Sequence, residues 1–260
     1  MMKFLKKFYL AIIFIFLYSP IFVMILFSFN EGKTRAKFTG FSFKWYSSLF
    51  EHDILLVSLL NTLLVATIAS ILATIIGTFA ALTISKMRNF NRSLSLNVIN
   101  IPIVNPEIVT GISLMLLFVS FALPLGFFTL LMAHVTFCVP YVVLSVLPKI
   151  KQLNKSTYEA ALDLGASPPL AFRKVVLPEL MPGILSGFLL SFTLSLDDFI
   201  ISYFTTGPGF PTLSITINTM TKRSIPLTVN ALSTIIFIIV FILLLLINIK
   251  NKPNIKLGKM

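Results

Sequence analysis

The sequence contains a single cysteine among 260 residues, Cys138, so no disulfide can form within the chain and no cluster of thiolates can hold a metal. Histidine is almost as scarce, because only His52 and His134 occur and a protein metal site needs three or four ligands. The motifs H-E-x-x-H, G-x-S-x-G and G-x-x-x-x-G-K-[ST] are all absent. We therefore expect no catalytic residues, no metal and no cofactor, and we expect any ATP hydrolysis to take place in a partner protein.

Charged residues are also few, at 12% of the sequence, while 57% of the residues are hydrophobic and the mean hydropathy is +0.96. Soluble domains contain roughly 45–50% apolar residues, so this composition is typical of a membrane protein. The formal net charge of +12 would indicate nucleic acid only if the basic residues were gathered in one groove or stripe. They lie between long apolar runs instead, so membrane lipid is an expected partner and nucleic acid is not.

The uncharged runs are long enough for helices that cross the membrane, which takes about 20 residues. The first run, Phe8 to Phe29, has 22 residues, longer than the apolar part of a secretory signal, and no small-residue cleavage site follows it. We predict an all-α, polytopic fold with one membrane domain over residues 1–260 and a polar loop over 148–180. The six predicted helices are 8–29, 54–85, 98–122, 126–147, 181–204 and 227–249.

Basic residues also predict the orientation of the chain. With this topology the inner segments carry fifteen Lys and Arg residues, and the outer loops carry six. Cytoplasmic loops of membrane proteins carry the excess of basic residues. We therefore expect both termini and the polar loop 148–180 on the cytoplasmic side.

The polar loop contains the signals of two short helices around one glycine. Ser156 followed three residues later by Glu159 forms a capping box, which predicts a helix that starts at about residue 157. Gly165 can take the left-handed conformation that ends a helix. The second helix is predicted from an N-cap, a first-turn proline and a terminating proline: Ser167, Pro168 and Pro178.

The first of these short helices has one apolar face of small and medium side chains. Tyr158, Ala161, Leu162 and Gly165 recur at the spacing that places residues on one side of a helix. Such a face either docks into a groove of a partner or packs on its own protein. From the helix alone, the two alternatives are equally supported.

The order and spacing of residues 159–178 in the polar loop resemble a motif of a known protein family. Glu159-Ala160-Ala161, then Gly165, then Val175, then Leu177-Pro178 resembles the EAA loop of ATP-binding cassette importer permeases, with Val175 where those proteins usually have Ile. The resemblance implies the type I importer permease fold, a coupling helix that contacts a cytoplasmic ATPase dimer, and a homologous second permease subunit. The residues implied in ATPase coupling are Tyr158, Glu159, Ala160, Ala161, Leu162, Gly165, Leu177 and Pro178.

Acidic residues are the only charged ones in the predicted spans. Glu107 lies near the start of the third helix, Asp197 and Asp198 lie late in the fifth, and no Lys or Arg occurs in any of the six. An ionised side chain at the bilayer centre costs roughly 2.5–3.5 kcal/mol, so such residues usually face water or a partner. The bias in sign favours a path for a cation. The alternative is that these carboxylates simply lie at the membrane interface.

The side chains of Trp45 and His134 each have two competing interpretations. Trp45, the only tryptophan, could contact a cation near the outer mouth of the path, or it could anchor the chain at the membrane interface. His134 within the fourth helix is a candidate ligand, but a lone histidine is more typical of a hydrogen-bonded core residue.

The segments around these acids resemble the spermidine/putrescine branch of the same permeases. They are Ile101-Pro102 through Pro106-Glu107-Ile108-Val109, His134 to Cys138, Ser191 to Phe199, and Thr206-Gly207-Pro208. The resemblance implies a subunit of the bacterial inner membrane that imports polyamines from a periplasmic polyamine-binding protein. Two alternatives stay open: a permease subunit for another small cation such as ferric iron or thiamine, and a secondary transporter.

Overall fold

A computed structural model of the chain describes residues 2–34, 37–51, 53–222 and 226–250. Within these ranges the regular structure is helical, and the extended backbone forms only one isolated bridge, between Asn30 and Phe41. The all-α prediction is therefore confirmed. The basic residues beyond residue 250, which are predicted to be cytoplasmic, lie outside the described residues. So do three residues of the predicted outer loops, Arg35, His52 and Arg223.

The helices follow one another with mostly short connections, and the longest joins α1 to α2. In chain order they are α1 Met2–Ser28, α2 Lys44–Leu49, α3 Asp53–Lys86, α4 Asn89–Val104, α5 Glu107–Ser120, α6 Phe127–Gln152, α7 Lys155–Asp163, α8 Pro168–Ala171, the π-helical segment Phe172–Val176, α9 Leu177–Asp197, α10 Ile200–Thr205, α11 Leu213–Thr221 and α12 Leu227–Lys250.

Four helical segments of the described chain are long and apolar enough to cross a membrane. They are Lys6–Ser28, Asp53–Lys86, Phe127–Gln152 and Pro168–Asp197, and the bent pair of α4 and α5 makes a fifth if it counts as one span. The predicted helix 227–249 corresponds to α12, and Leu227–Ile242, the part of it whose side chains the structure describes, is a shorter apolar helix. The polytopic architecture agrees with the sequence, and the count of six spans stays a prediction.

The predicted helix 98–122 is divided in the structure. α4 ends at Val104, α5 begins at Glu107, and their axes differ by 104°. Pro106 explains the break, because a proline disfavours helical backbone in the preceding residue and lacks an N–H group. Asn105 accordingly has an extended conformation, with φ −73° and ψ 143°. Glu107 thus stands at the N-terminus of a helix that starts at a sharp bend.

The helices divide into two compact units. One comprises residues 1–56 and 217–260, in which α12 contacts α1 and α2. The other comprises residues 57–216, and its centre is α6 packed against α9. Cys138, Val142 and Val146 of α6 are fully buried there. The single domain over 1–260 stays a prediction.

Glycine permits the close packing of α3 on α6. A Cβ atom at Gly77 would lie 2.6 Å from Cβ of Val142 and 3.2 Å from the carbonyl oxygen of Val139. Real Cβ atoms do not approach side chains so closely, and overpacked cores lose stability.

We expect Gly77→Ala to destabilise the protein by about 1–3 kcal/mol. Gly209→Ala is the matched control, because a Cβ atom there would have no neighbour within 4 Å. The measurement is the temperature at which each purified variant aggregates in detergent. Equal temperatures for Gly77→Ala and wild type would show that Val142 moves aside at no cost.

Candidate functional site

A cleft of about 400 Å³ opens in the unit formed by residues 57–216. Its walls come from the bend between α4 and α5, from the middle of α6, and from the break between α9 and α10. The lining residues are Pro102, Glu107, Thr110, Phe137, Tyr141, Thr193, Leu194, Asp197, Asp198, Phe199, Ile200 and Ile201. Two helix breaks therefore meet at one opening.

Three carboxylates lie along this cleft. Glu107 enters from the start of α5, and Asp197 and Asp198 enter from the end of α9. Glu107 and Asp197 are exposed, whereas the side chain of Asp198 is only 5% exposed. None of the residues that line the cleft is Lys or Arg. The structure thus brings Glu107 together with two adjacent acids that follow it in sequence by 90 and 91 positions. The lining of the cleft carries only negative formal charge.

Asp198 directly follows the last residue of α9 and precedes Phe199, the N-cap residue of α10, and its carboxylate caps the first turn of α10. The predicted helix 181–204 is divided at this residue, whose backbone is extended, with φ −64° and ψ 127°. Its Oδ1 accepts a hydrogen bond from the backbone N–H of Ile201 at 3.2 Å, and its Oδ2 accepts one from Ser202 at 2.7 Å. Aspartate is a favoured N-cap because its carboxylate satisfies the free N–H groups of the first turn. The predicted single helix is therefore two helices joined by a capping residue.

His134 is buried beside this cap and is 1% exposed. Its Nδ1 lies 2.6 Å from Oγ of Ser195, and its Nε2 lies 3.0 Å from Oγ of Ser202. Nε2 is also 3.5 Å from Oδ2 of Asp198. The prediction of a hydrogen-bonded core histidine is confirmed. Its two serine partners were not predicted, and their only signal is that both stand on the same chain segment as Asp198.

Trp45 belongs to the other unit, near the start of α2. Its Nε1 donates a hydrogen bond to the carbonyl oxygen of Asn30 at 2.6 Å. The Nζ atom of Lys44 lies 5.4 Å from the ring centroid, within the range of a cation–π contact. The ring is half-buried and already faces a cation of its own chain. A place for Trp45 near the mouth of a cation path stays a prediction.

The first helix of the segment predicted to couple to an ATPase begins at Lys155, two residues earlier than expected. Asn154 is the N-cap of α7, and its Oδ1 accepts a hydrogen bond from the backbone N–H of Ser156 at 3.0 Å. The prediction that Ser156 and Glu159 form a capping box is therefore wrong. Asparagine is as good an N-cap as serine, and here it stands in the earlier position.

Gly165 ends α7 as predicted. Its φ of +85° is left-handed, and the N–H groups of Gly165 and Ala166 donate to the carbonyl oxygens of Leu162 and Ala161. These two bonds form the Schellman motif. The next helix also begins as predicted, with Ser167 as N-cap and a proline at the first position.

Pro178 does not end the second helix, so that prediction is wrong. α8 continues into the π-helical segment Phe172–Val176 and then directly into α9, where Pro178 lies in the first turn. The backbone N–H of Leu177 donates to the carbonyl oxygen of Phe172, five residues earlier. One wide turn thus precedes the proline, which has no N–H to donate. The helical path is unbroken from Pro168 to Asp197.

The predicted docking face of α7 is partly covered by its own segment. Tyr158, Ala161 and Leu162 are half-buried, and α7 contacts α8 and the π-helical segment. The exposed positions are Glu159, Ala160, Gly165, Pro178 and, at 89%, Leu164, while Leu177 is half-buried. The apolar surface available to a partner is therefore centred on Leu164, a residue that the helical pattern did not select.

Comparison with known proteins places these features among membrane transport systems. Residues 73–250 match the family model described as binding-protein-dependent transport system inner membrane component. The spermidine/putrescine transport system permease protein PotC of Haemophilus influenzae is 35% identical over 251 residues, which cover 96% of this chain and 98% of that protein. The putrescine transport system permease protein PotI of Escherichia coli K12 is 38% identical over 230 residues, which cover 86% and 82%.

A solved structure shares the arrangement of helices. It is the crystal structure of a bacterial ABC transporter involved in the import of the acidic polysaccharide alginate, with a TM-score of 0.74 over 95% of both chains. The sequences are 15% identical, so this likeness concerns the fold alone.

Proposed function

Because the chain belongs to the family of binding-protein-dependent transport system inner membrane components, we propose that it is the transmembrane subunit of an ATP-driven importer of spermidine and putrescine. It is a multi-pass subunit of the bacterial inner membrane with the fold of an ABC importer permease, and it is not an enzyme. The polyamine specificity is supported by the names of two relatives and by the acidic cleft.

The observation that carries the proposal is the charge of the cleft. The alginate importer has the same fold and takes an acidic polymer, so the fold does not decide the charge of the substrate. Exposed carboxylates on Glu107 and Asp197, with no base among the lining residues, favour a cation. Carboxylate–ammonium hydrogen bonds are roughly twice as strong as neutral ones.

The shape of polyamines fits the rest of the lining. These molecules are flexible chains in which methylene groups separate ammonium groups. Phe137, Tyr141 and Phe199 line the same cleft as the carboxylates, and aromatic faces attract both methylene groups and cations. A ferric ion would need several ligands at one point, and no cluster of three or more His, Cys, Asp or Glu side chains suited to a metal occurs among the described residues.

ABC importers of this family work with a second permease, an ATPase and a binding protein. For this chain we propose a homologous second permease subunit, a cytoplasmic ATPase dimer that contacts the segment Lys155–Pro178, and a periplasmic polyamine-binding protein. The absence of a phosphate-binding motif from the sequence supports a separate ATPase. Both termini are proposed to be cytoplasmic, on the distribution of Lys and Arg.

Uptake of radiolabelled putrescine and spermidine tests the proposal. Bacteria that lack their own polyamine uptake should accumulate label only when this chain is expressed with a second permease, an ATPase and a polyamine-binding protein of the same transport system. Excess unlabelled polyamine should compete, whereas thiamine and ferric citrate should not. Competition by thiamine or iron alone would assign the chain to one of those cations. Uptake that survives ATP depletion and follows the proton gradient would assign it to secondary transport.

A further inference from the structure

Asp198 connects more elements of the fold than the other two carboxylates of the cleft. Its carboxylate caps α10 and lies beside His134 of α6. Its carbonyl oxygen accepts a hydrogen bond from Oγ of Ser214 in α11 at 2.7 Å. Because Asp198 itself follows α9, four helices meet at one residue.

The carboxylates of the neighbouring residues Asp197 and Asp198 differ in hydrogen bonding and in exposure to the cleft. Both oxygens of Asp198 already accept hydrogen bonds from backbone N–H groups, and its side chain is 5% exposed. With only 5% of its side chain exposed, the Asp198 carboxylate presents little surface to an ammonium group in the cleft, and it is already engaged in holding the first turn of α10. The side chain of Asp197 is exposed.

We propose that His134 and Asp198 are positioning residues that form a latch across the break between α9 and α10, and that Asp197 and Glu107 are the carboxylates that meet the transported cation. Only the identity of that cation rests on the proposed function. The latch consists of His134, Ser195, Asp198 and Ser202.

The imidazole holds the two sides of the break together. Nδ1 of His134 contacts Ser195 on α9, and Nε2 contacts Ser202 on α10, so a single ring connects the last turn of one helix with the first turn of the next. Both contacts are buried. A hydrogen-bonded ring in this place fixes the direction in which the chain leaves Asp197.

The latch also fixes Glu107, although it does not touch it. α10 packs against α5 at Gly111, where a Cβ atom would lie 3.0 Å from the ring of Phe204 and 3.4 Å from Cα of Ile201. α5 begins at Glu107, four residues earlier. Holding α10 in place thereby holds the helix that carries the second free carboxylate.

Isosteric substitutions separate the two roles. At Asp198 the hydrogen-bond acceptors matter, and asparagine keeps one of the two, so Asp198→Asn should retain clearly more uptake than Asp198→Ala, which should lower it about tenfold or more. At Asp197 the charge matters, so Asn and Ala should be equally harmful. If Asp198→Asn lowered uptake as much as Asp198→Ala and Asp197→Asn do, the proposal would be overturned.

Substitutions of His134 test the other half of the latch. Glutamine can donate from its amide towards Ser202 and Asp198, so His134→Gln should retain far more uptake than His134→Leu. Residues that act as one unit are not additive, so His134→Leu combined with Asp198→Ala should be no worse than the poorer single variant. Cys138→Ala is the matched control, since it removes a buried side chain one turn away on α6 without touching Asp198. If His134→Gln and His134→Leu lost the same amount of uptake, the latch would be contradicted. It would also be contradicted if the losses of His134→Leu and Asp198→Ala added up in the double variant.

A labelling experiment tests the latch without any substrate. Cys138 is the only cysteine, so the Cys138→Ala chain allows a reporter thiol at Ile200, the first residue of α10, or at Thr193, an exposed lining residue of α9. In the assembled transporter, His134→Leu or Asp198→Ala should raise the rate at which a cationic methanethiosulfonate modifies position 200 by about fivefold or more, because the first turn of α10 loses a side chain that holds it in place. Position 193 should keep its rate.

The two experiments fail in different ways. A wild-type chain that imports no polyamine would refute the proposed function, and the labelling rates would still decide whether the latch exists. Unchanged labelling at position 200 would refute the latch even in a chain that imports polyamines. Faster labelling at both positions would show general unfolding and would also refute it.

Discussion

Replacing Gly165 by valine is expected to lower ATP-driven uptake about tenfold or more while leaving the protein in the membrane. The residue has a φ of +85°, a conformation that costs a β-branched side chain on the order of 1–3 kcal/mol. A Cβ atom there would meet nothing within 4 Å, so the effect comes from the backbone alone. Losing the left-handed turn removes the Schellman bonds and misplaces α7 relative to α8.

Gly165→Asn is the control for this prediction. Asparagine tolerates the left-handed conformation better than any β-branched residue, so this variant should retain most of the uptake. The measurements are initial uptake rates, the amount of protein in the membrane, and ATP hydrolysis by the assembled transporter. Gly165→Val with normal uptake would show that the shape of this turn does not matter for coupling. If uptake fell only as much as the amount of protein in the membrane, Gly165 would be required for folding and not for coupling.

Replacing Asp197 by asparagine is expected to lower polyamine uptake about tenfold, the change that ~1.4 kcal/mol of lost ion pairing produces. The side chain is exposed in the cleft and ends α9, so the isosteric amide keeps the shape and removes only the charge. Glu107→Gln should act in the same direction for the same reason. Neither change should reduce the amount of protein, because neither carboxylate is buried.

Asp53→Asn is the matched control, as it makes the same chemical change at an exposed residue in the first turn of α3. Uptake per molecule of protein should be unaffected by it. Initial rates at saturating and limiting polyamine, divided by membrane abundance, give the comparison. If Asp197→Asn reduced uptake only in proportion to abundance, the carboxylate would have a structural role and the cation path would lie elsewhere.

Much of the helical architecture follows from the sequence because long apolar runs have few alternatives in a membrane. The run 54–85 became α3, Asp53–Lys86, with a difference of one residue at each end. The breaks were harder to predict. Pro102 lies inside α4 while Pro106 bends the chain, and both stand in the same apolar run. Which proline breaks a helix depends on the packing around it, which a single sequence does not display.

The candidate site was partly predictable for a similar reason. Carboxylates in apolar runs are conspicuous, so Glu107, Asp197 and Asp198 could be selected by charge alone. The serines that hold His134 could not. Hydroxyl groups in membrane helices commonly bond to a carbonyl oxygen of their own helix, as Ser186 does with Pro182, and the sequence does not distinguish those from Ser195.

The π-helical segment Phe172–Val176 has a mechanical consequence. It lets one helical rod run from Pro168 to Asp197, 30 residues that span about 45 Å at ~1.5 Å per residue. We expect that a displacement of the end at Pro168 is passed along this continuous helix to its other end, where Asp197 lines the cleft.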